Sequence, residues 1–228
     1  MSSCSKIHPT KRPARSRFDP LALFEVLKLH FGPSGWWPGE SPLEVAVGAV
    51  LTQNTSWVNV EKAIENLKIH GMLDMVRIHE ADHSELASLI RPSGYYNLKA
   101  KRLKNLIRVI METSSGDIDA FLGKDRASLR DALLGVNGIG KETADSICCY
   151  AGGKTTFVVD AYTKRILLNH GIIDADAGYD EIQRLFEESL PCDIAVYKDL
   201  HAYLVFIGKD HCRPREPRCS ACPLETWP

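Results

Sequence analysis

A chain of 228 residues can bury one large core or two small ones, and its 44% hydrophobic content is ordinary for a globular protein. No apolar run approaches the roughly 18 residues of a membrane span, and the opening MSSCSKIHPTKRPARSR lacks a signal peptide's apolar stretch, so a cytoplasmic protein without membrane contact is expected. The formal net charge of -1 argues against a protein that coats nucleic acid by bulk charge and leaves a local basic patch for any such partner.

In chain order, residues 1–18 read as a polar, basic arm. Asp19 followed by Pro20 is an N-cap with proline at the first helical position, opening the helix LALFEVLKLHFG. PSGWWPGE reads as a loop. Ser41-Pro42-Leu43-Glu44 has the form of a capping box ahead of VAVGAVL, a helix that ends near TQNTS. Helical periodicity then runs through VEKAIENLKIHG, SELASLIR, LKAKRLKNLIRVIMET, ASLRDALLGV, KETADSICCYAG, VVDAYTKRILLNHG, YDEIQRLFEESL and VYKDLHAYLVFIG, for about ten helices in all. The one β-like run, TTFVV, is short and leads straight into a helical pattern, so the fold class expected is all-α.

Two stretches carry more than packing. In ALLGVNGIGKETADSI a short amphipathic helix runs into Gly138-Ile139-Gly140, and a second helix starts near Lys141. Glycines permit positive φ in so tight a turn and let another backbone approach, and the start of the second helix favours an anion such as a DNA phosphate. An ordinary packing corner reads the same glycines equally well. The second stretch is the cysteine cluster. Of seven cysteines, Cys148 and Cys149 lie inside a helical pattern and read as core, and Cys4 and Cys192 carry no evident role. Cys212, Cys219 and Cys222 crowd the end of the sequence, which is not a disulfide scaffold's distribution.

Gly138-Ile139-Gly140 followed by Thr143-Ala144, the extended TTFVVD ending in Asp160, VLTQNTS near the front, SGYYNLKAKRLKNL in the middle and the terminal cysteines occur in an order that resembles the helix-hairpin-helix DNA glycosylase superfamily, its endonuclease III branch most closely. The resemblance runs from about Pro42 to Cys222 and implies a two-lobed helical fold that binds double-stranded DNA containing damaged bases, as a monomer. By it, residues 19–40 and 153–211 form one lobe. Residues 41–152 form a helical barrel lobe with the hairpin at 127–151, and 212–228 form an iron–sulfur-type loop.

Asp160 matches the superfamily's catalytic aspartate. Cutting an N-glycosidic bond develops positive charge on the sugar, which a nearby carboxylate stabilises while it orients water. Asp160 also suits an N-cap of AYTKRILLNHG. Relatives that nick the strand use a lysine amine as a Schiff-base nucleophile. That lysine falls at the position of Glu142, and Lys141 stands one residue early, turned by about 100° on a helix. The pattern therefore resembles a monofunctional glycosylase of base excision repair. A bifunctional enzyme on oxidised pyrimidines using Lys141, or a non-catalytic lesion-binding protein, are the alternatives.

The adjacent indoles of Trp36 and Trp37 together with GIGKE look like the 3-methyladenine DNA glycosylases of that branch. The resemblance puts Trp36, Trp37 and Glu142 around the base, with Lys209 at the pocket floor. Indole faces attract a cationic, alkylated purine by roughly 0.5–2 kcal/mol, and a carboxylate favours the same cation. An anchor in the core is the other reading of the two tryptophans. By family position Gln53 plugs the gap left by the flipped nucleotide and Tyr95 intercalates opposite it. Gly138, Gly140 and Lys141 contact the phosphates, and Lys99 joins them from the start of a helix that also carries Lys101, Arg102 and Lys104.

Cys212-x6-Cys219-x2-Cys222 is similar to the family's C-x6-C-x2-C-x5-C loop, which implies a 4Fe-4S cluster holding Arg213, Arg215 and Arg218 toward DNA. The fourth cysteine is expected at Pro228, where the sequence stops. A sequence cut short, three thiolates with an outside ligand, a zinc site helped by His211, and three metal-free cysteines all remain open.

Overall fold

A computed structural model describes residues 18–227, and every regular element among them is helical. The basic arm lies outside the described residues except for Phe18, whose ring packs edge-on against Phe186 and Trp227 at 5.3 and 5.9 Å.

Helix α1 (Pro20–Phe31) begins where Asp19 Oδ1 accepts the N–H groups of Leu21 and Ala22 at 3.0 and 3.1 Å. Helix α2 (Pro42–Leu51) is capped by Ser41 Oγ, which accepts from Glu44 N at 3.2 Å. The returning Glu44 carboxylate takes the N–H of Glu40 at 3.1 Å, one residue earlier than a strict capping box. Buried Glu44 also pairs with Lys68 of α3 (Trp57–Ile69) at 3.0 Å. The chain continues through α4 (Met75–Glu80), α5 (His83–Leu89), a 3-10 turn at Arg91–Ser93, α6 (Tyr96–Ser114), α7 (Ile118–Leu122), α8 (Arg126–Leu134) and α9 (Lys141–Ser146). A π-helical turn (Ile147–Ala151) extends α9 and is followed by α10 (Ala161–Asn169), α11 (Tyr179–Glu187), α12 (Ile194–Asp210) and a 3-10 turn at Cys219–Ala221. Periodicity misses α4 and α7, which have six and five residues and are too short to repeat a stripe.

Two hydrophobic cores form. One gathers buried residues between Ala46 and Cys148, including Leu51, Leu67, Leu103, Phe121 and Leu133. The other gathers Leu23, Phe24 and Leu27 of α1 with residues from Cys149 onward, including Phe157, Phe186, Leu200 and Tyr203. The boundary falls between Cys148 and Cys149, inside the π turn, and both thiols are fully buried, where desolvation raises them to about 12. Trp37 packs against both cores.

TTFVV has no strand partner and runs extended. Phe157 stacks on Phe186 at 3.8 Å, and its N–H is taken by Glu187 Oε1 at 3.0 Å. The segment is held from beneath by Asp145, whose fully buried carboxylate accepts from Arg130 Nε at 2.6 Å, Tyr179 at 2.8 Å and Gln183 at 2.9 Å. Gln183 donates also to Phe157 O at 2.7 Å, and Tyr179 Oη accepts from Val159 N at 3.3 Å. A buried charge so fully hydrogen-bonded fixes geometry, because losing one partner strands the others in low dielectric. The geometry it fixes is the approach of the chain to Asp160.

Candidate active site

Asp160 caps α10, with its Oδ1 accepting from Thr163 N at 2.7 Å. That bond leaves Oδ2, which faces His201 Nε2 at 3.7 Å. The other ring nitrogen of His201 lies 2.6 Å from the hydroxyl of Tyr150, and the Tyr150 ring packs against Trp37 with centroids 5.2 Å apart. A continuous line thus runs from Trp37 through Tyr150 and His201 to Asp160, along the seam between the two cores.

Glu142, in the first turn of α9, faces the same seam. Burial by the surrounding walls, and secondly the charge of Asp160, push its carboxyl up to about 7. The side chain nonetheless keeps solvent access, which places it in an open cleft rather than a core. Trp36 and Trp37 are half-buried and form a cluster with Trp57, at centroid distances of 5.3 and 5.1 Å, and Phe206 packs on Trp36 at 6.2 Å. Both indole N–H groups are buried without a partner among the described residues. The two tryptophans are therefore anchored by their neighbours while each keeps part of its surface open to solvent. Lys209 lies exposed in the last turn of α12, three residues beyond Phe206.

The hairpin has its tight turn at Gly138, with φ 95, where a Cβ would run into the Arg102 side chain. Gly140 has an ordinary φ of -95 and open space where a side chain would stand, so positive φ accounts for only one of the two glycines. Lys141 does not turn toward Asp160. Its ammonium is paired with Asp180 of α11 at 2.5 Å. Gln53 sits at the hairpin, donating to Thr143 Oγ1 at 2.8 Å and accepting from Arg102. Tyr95 caps α6 in a left-handed conformation with φ 46 and is 72% exposed.

Lys99 is a correction. Its side chain is 1% exposed, and the ammonium donates to Leu51 O at 2.8 Å and Ser93 O at 2.6 Å, so it cannot reach a phosphate. On α6 its position faces inward, toward the end of α2. Burial, and secondly Arg102, lower its pKa to about 8. Lys104 likewise turns back onto the carbonyls of His79 and Ala81, whereas Lys101 stays exposed.

The cysteine loop has donors for a soft metal without a closed site. Cys212 Sγ accepts from Asn169 at 3.3 Å and Cys222 Sγ from Leu224 N at 3.5 Å, and His211 Nδ1 is buried and unpartnered. Burial raises the Cys222 thiol against the lowering by the Leu224 N–H, and the charges of Cys212 and Cys219 add to the rise. Among the described residues no three metal-binding side chains are gathered around one point. Position 228, where the fourth cysteine is expected, is proline and lies outside the described residues.

Sequence reasoning missed Tyr150, His201 and Trp57, and it saw Arg102 only as one charge of a basic helix rather than as the partner of Gln53. The π turn re-aims Tyr150 off the α-helical period, and His201 reads as one more position on an apolar helix, so no local pattern marks either residue.

The helical architecture, the hairpin and the carboxylate at the head of α10 define a class, the helix-hairpin-helix glycosylases. The chain belongs to the HhH-GPD superfamily of base excision DNA repair proteins, matched over residues 47–192, and is a DNA N-glycosylase. A Methanocaldococcus jannaschii protein that carries a DNA repair glycosylase name is 48% identical over 206 residues, covering 90% of this chain and 93% of its own. The Helicobacter pylori 3-methyladenine DNA glycosylase, solved with 1,N6-ethenoadenine, is 33% identical with a TM-score of 0.73 over 84% of this chain and 98% of that one. A non-covalent endonuclease III–DNA complex shares the fold at 23% identity, with a TM-score of 0.76 over 90% of this chain and 91% of that one. No described helix is long and apolar enough to cross a membrane.

Proposed function

We propose that this glycosylase is monofunctional, acts as a monomer on damaged double-stranded DNA and prefers alkylated purines such as 3-methyladenine. The observation that carries the reading is the pair of carboxylates, Asp160 and Glu142, close enough for their charges to interact, with Trp37 linked to Asp160 through Tyr150 and His201 while Lys141 is drawn off to Asp180. An alkylated purine already carries positive charge and leaves readily, so the site has to supply recognition of a cation and stabilisation of the sugar's developing charge. In this reading Trp36, Trp37 and Glu142 receive the flipped base, with Lys209 a further candidate at the pocket floor. Asp160 stabilises C1′ and orients the water that attacks it. The base leaves with the glycosidic electron pair, and the water's oxygen bonds to C1′ and gives up a proton to the Asp160 carboxylate. Gln53 and Tyr95 hold the duplex open, and Gly138, Gly140 and Lys141 meet the backbone.

Single-turnover excision of 3-methyladenine, scored with and without hot alkali, tests this. Strand breaks only after alkali are expected, and Asp160→Asn should slow release by about a hundredfold or more with DNA affinity kept. Borohydride trapping should yield no covalent complex. Trapping that disappears in Lys141→Ala would establish the lyase reading instead.

For the cysteine loop we propose a 4Fe-4S cluster on Cys212, Cys219 and Cys222, with a fourth ligand that is not Pro228 and a role in holding Arg213, Arg215 and Arg218 toward DNA. The C-x6-C-x2-C spacing, with N–H donors on two of the sulfurs, supports it, and such donors tune cluster-bound sulfur. Anaerobically purified protein should contain about four irons and four acid-labile sulfides per chain. One zinc per chain, or no metal, overturns it.

A further inference from the structure

His201 is a buried side chain with one nitrogen unaccounted for. It lies 5% exposed on α12, and its Nε2 is buried without a hydrogen-bond partner at the distance the structure gives, 3.7 Å from Asp160 Oδ2. Leaving such a group unpaired is costly, so its direction carries information. A carboxylate only accepts, and a neutral imidazole has one donor and one acceptor. The nitrogen that faces Asp160 must therefore carry the proton, and Nδ1 must accept. The hydroxyl of Tyr150 stands 2.6 Å from Nδ1, closer than the 3.1 Å that separates it from Lys198 O, and fills that requirement. Burial holds the phenol protonated far into the alkaline range, so it remains a donor.

We propose that His201 is a positioning residue for Asp160. Its Nε2–H holds Oδ2 while Thr163 N holds Oδ1, and Tyr150 fixes the tautomer that makes this possible. The proposal rests on Asp160 being the catalytic carboxylate. Two anchored oxygens keep the carboxylate in one rotamer facing the sugar, and the 3.7 Å gap closes when substrate fills the seam, as hydrogen bonds of empty sites commonly do. Burial lowers the His201 pKa and the Asp160 charge opposes the fall, so the ring is neutral at pH 7. The other charged or titratable groups around it are few. Lys198 donates to Tyr150 O at 3.3 Å, and Asp199 and Cys149 act on the phenol.

The test combines nitrogen-15 NMR of the histidine ring with single-turnover excision. In wild-type protein at neutral pH the His201 signal should be that of the Nε2–H tautomer. Asp160→Asn should move its titration to lower pH, and Tyr150→Phe should populate the other tautomer. His201→Phe should slow excision by roughly tenfold to a hundredfold with DNA affinity unchanged. His201→Gln, which keeps an N–H donor, should recover most of that loss. An Nδ1–H tautomer in the wild type, a titration indifferent to Asp160→Asn, full activity in His201→Phe, or equal loss in the Phe and Gln variants would each overturn the proposal. Normal excision by Asp160→Asn would instead remove the catalytic reading of Asp160, and the NMR titration would still decide whether the pairing exists.

Discussion

Two carboxylates meet in this cleft with different surroundings, and the difference sets what each can do. Asp160 is anchored by a backbone N–H and faced by an imidazole. Glu142 stands crowded by the cleft walls and repelled by its neighbour, which brings its titration to about 7. In the unfolded chain a glutamate titrates near 4.3, so between about 4.3 and 7 the folded state binds the extra proton. The contribution of Glu142 to stability must then fall as pH rises through that window. Urea midpoints should show Glu142→Gln more stable relative to wild type at about pH 8 than at about pH 4, by a small margin because the side chain is also wetted. Binding of a cationic base should strengthen as pH rises through 7 in the wild type and stay flat in the variant. A base-binding profile identical in both proteins would remove Glu142 from the pocket.

At the scale of elements, Lys99 ties together the pieces that carry Gln53 and Tyr95, the residues proposed to hold the duplex open. One carbonyl it holds ends α2, two residues before Gln53, and the other closes the turn two residues before Tyr95. Lys99→Met removes both donors and leaves Leu51 O and Ser93 O buried and unpaired. The expected cost is about 2–3 kcal/mol in urea unfolding. DNA affinity should fall too, but its salt dependence should keep the wild-type slope, because no phosphate contact is lost. A shallower slope would return Lys99 to the DNA surface. The sequence displays α6 as a lysine-rich helix and says nothing of which lysine faces in. Burial of that one follows from where α2 ends, a fact of packing.

On the scale of the whole molecule, the site exists only where two cores meet. Helix α10, capped by Asp160, crosses α12 at Gly208, where a side chain would collide with the Tyr162 ring. Arg165 locks the crossing by donating to Cys212 O at 2.7 Å and Gly208 O at 2.9 Å. Gly208→Val must push the helices apart at a cost of about 1–3 kcal/mol. Since the displaced helix carries Asp160, excision should fall more steeply than stability alone explains. A Gly208→Val protein that melts lower yet excises at the wild-type rate would separate the crossing from the site.

Caps, glycines and stripes are local, so ten helices, the hairpin and Asp160 at the head of its helix could be read from the residues themselves, while it took the resemblance to the family to imply that Glu142 stands where strand-nicking relatives carry lysine. The sequence by itself thus determined the class of protein and the carboxylate on which its chemistry is proposed to turn. Only the tertiary structure decided that Lys141 belongs to Asp180, that Lys99 faces inward and that Tyr150 and His201 stand behind Asp160. Those partners lie tens of residues apart in the chain and are brought together by two cores closing on one seam, a relation that no period of 3.6 residues contains.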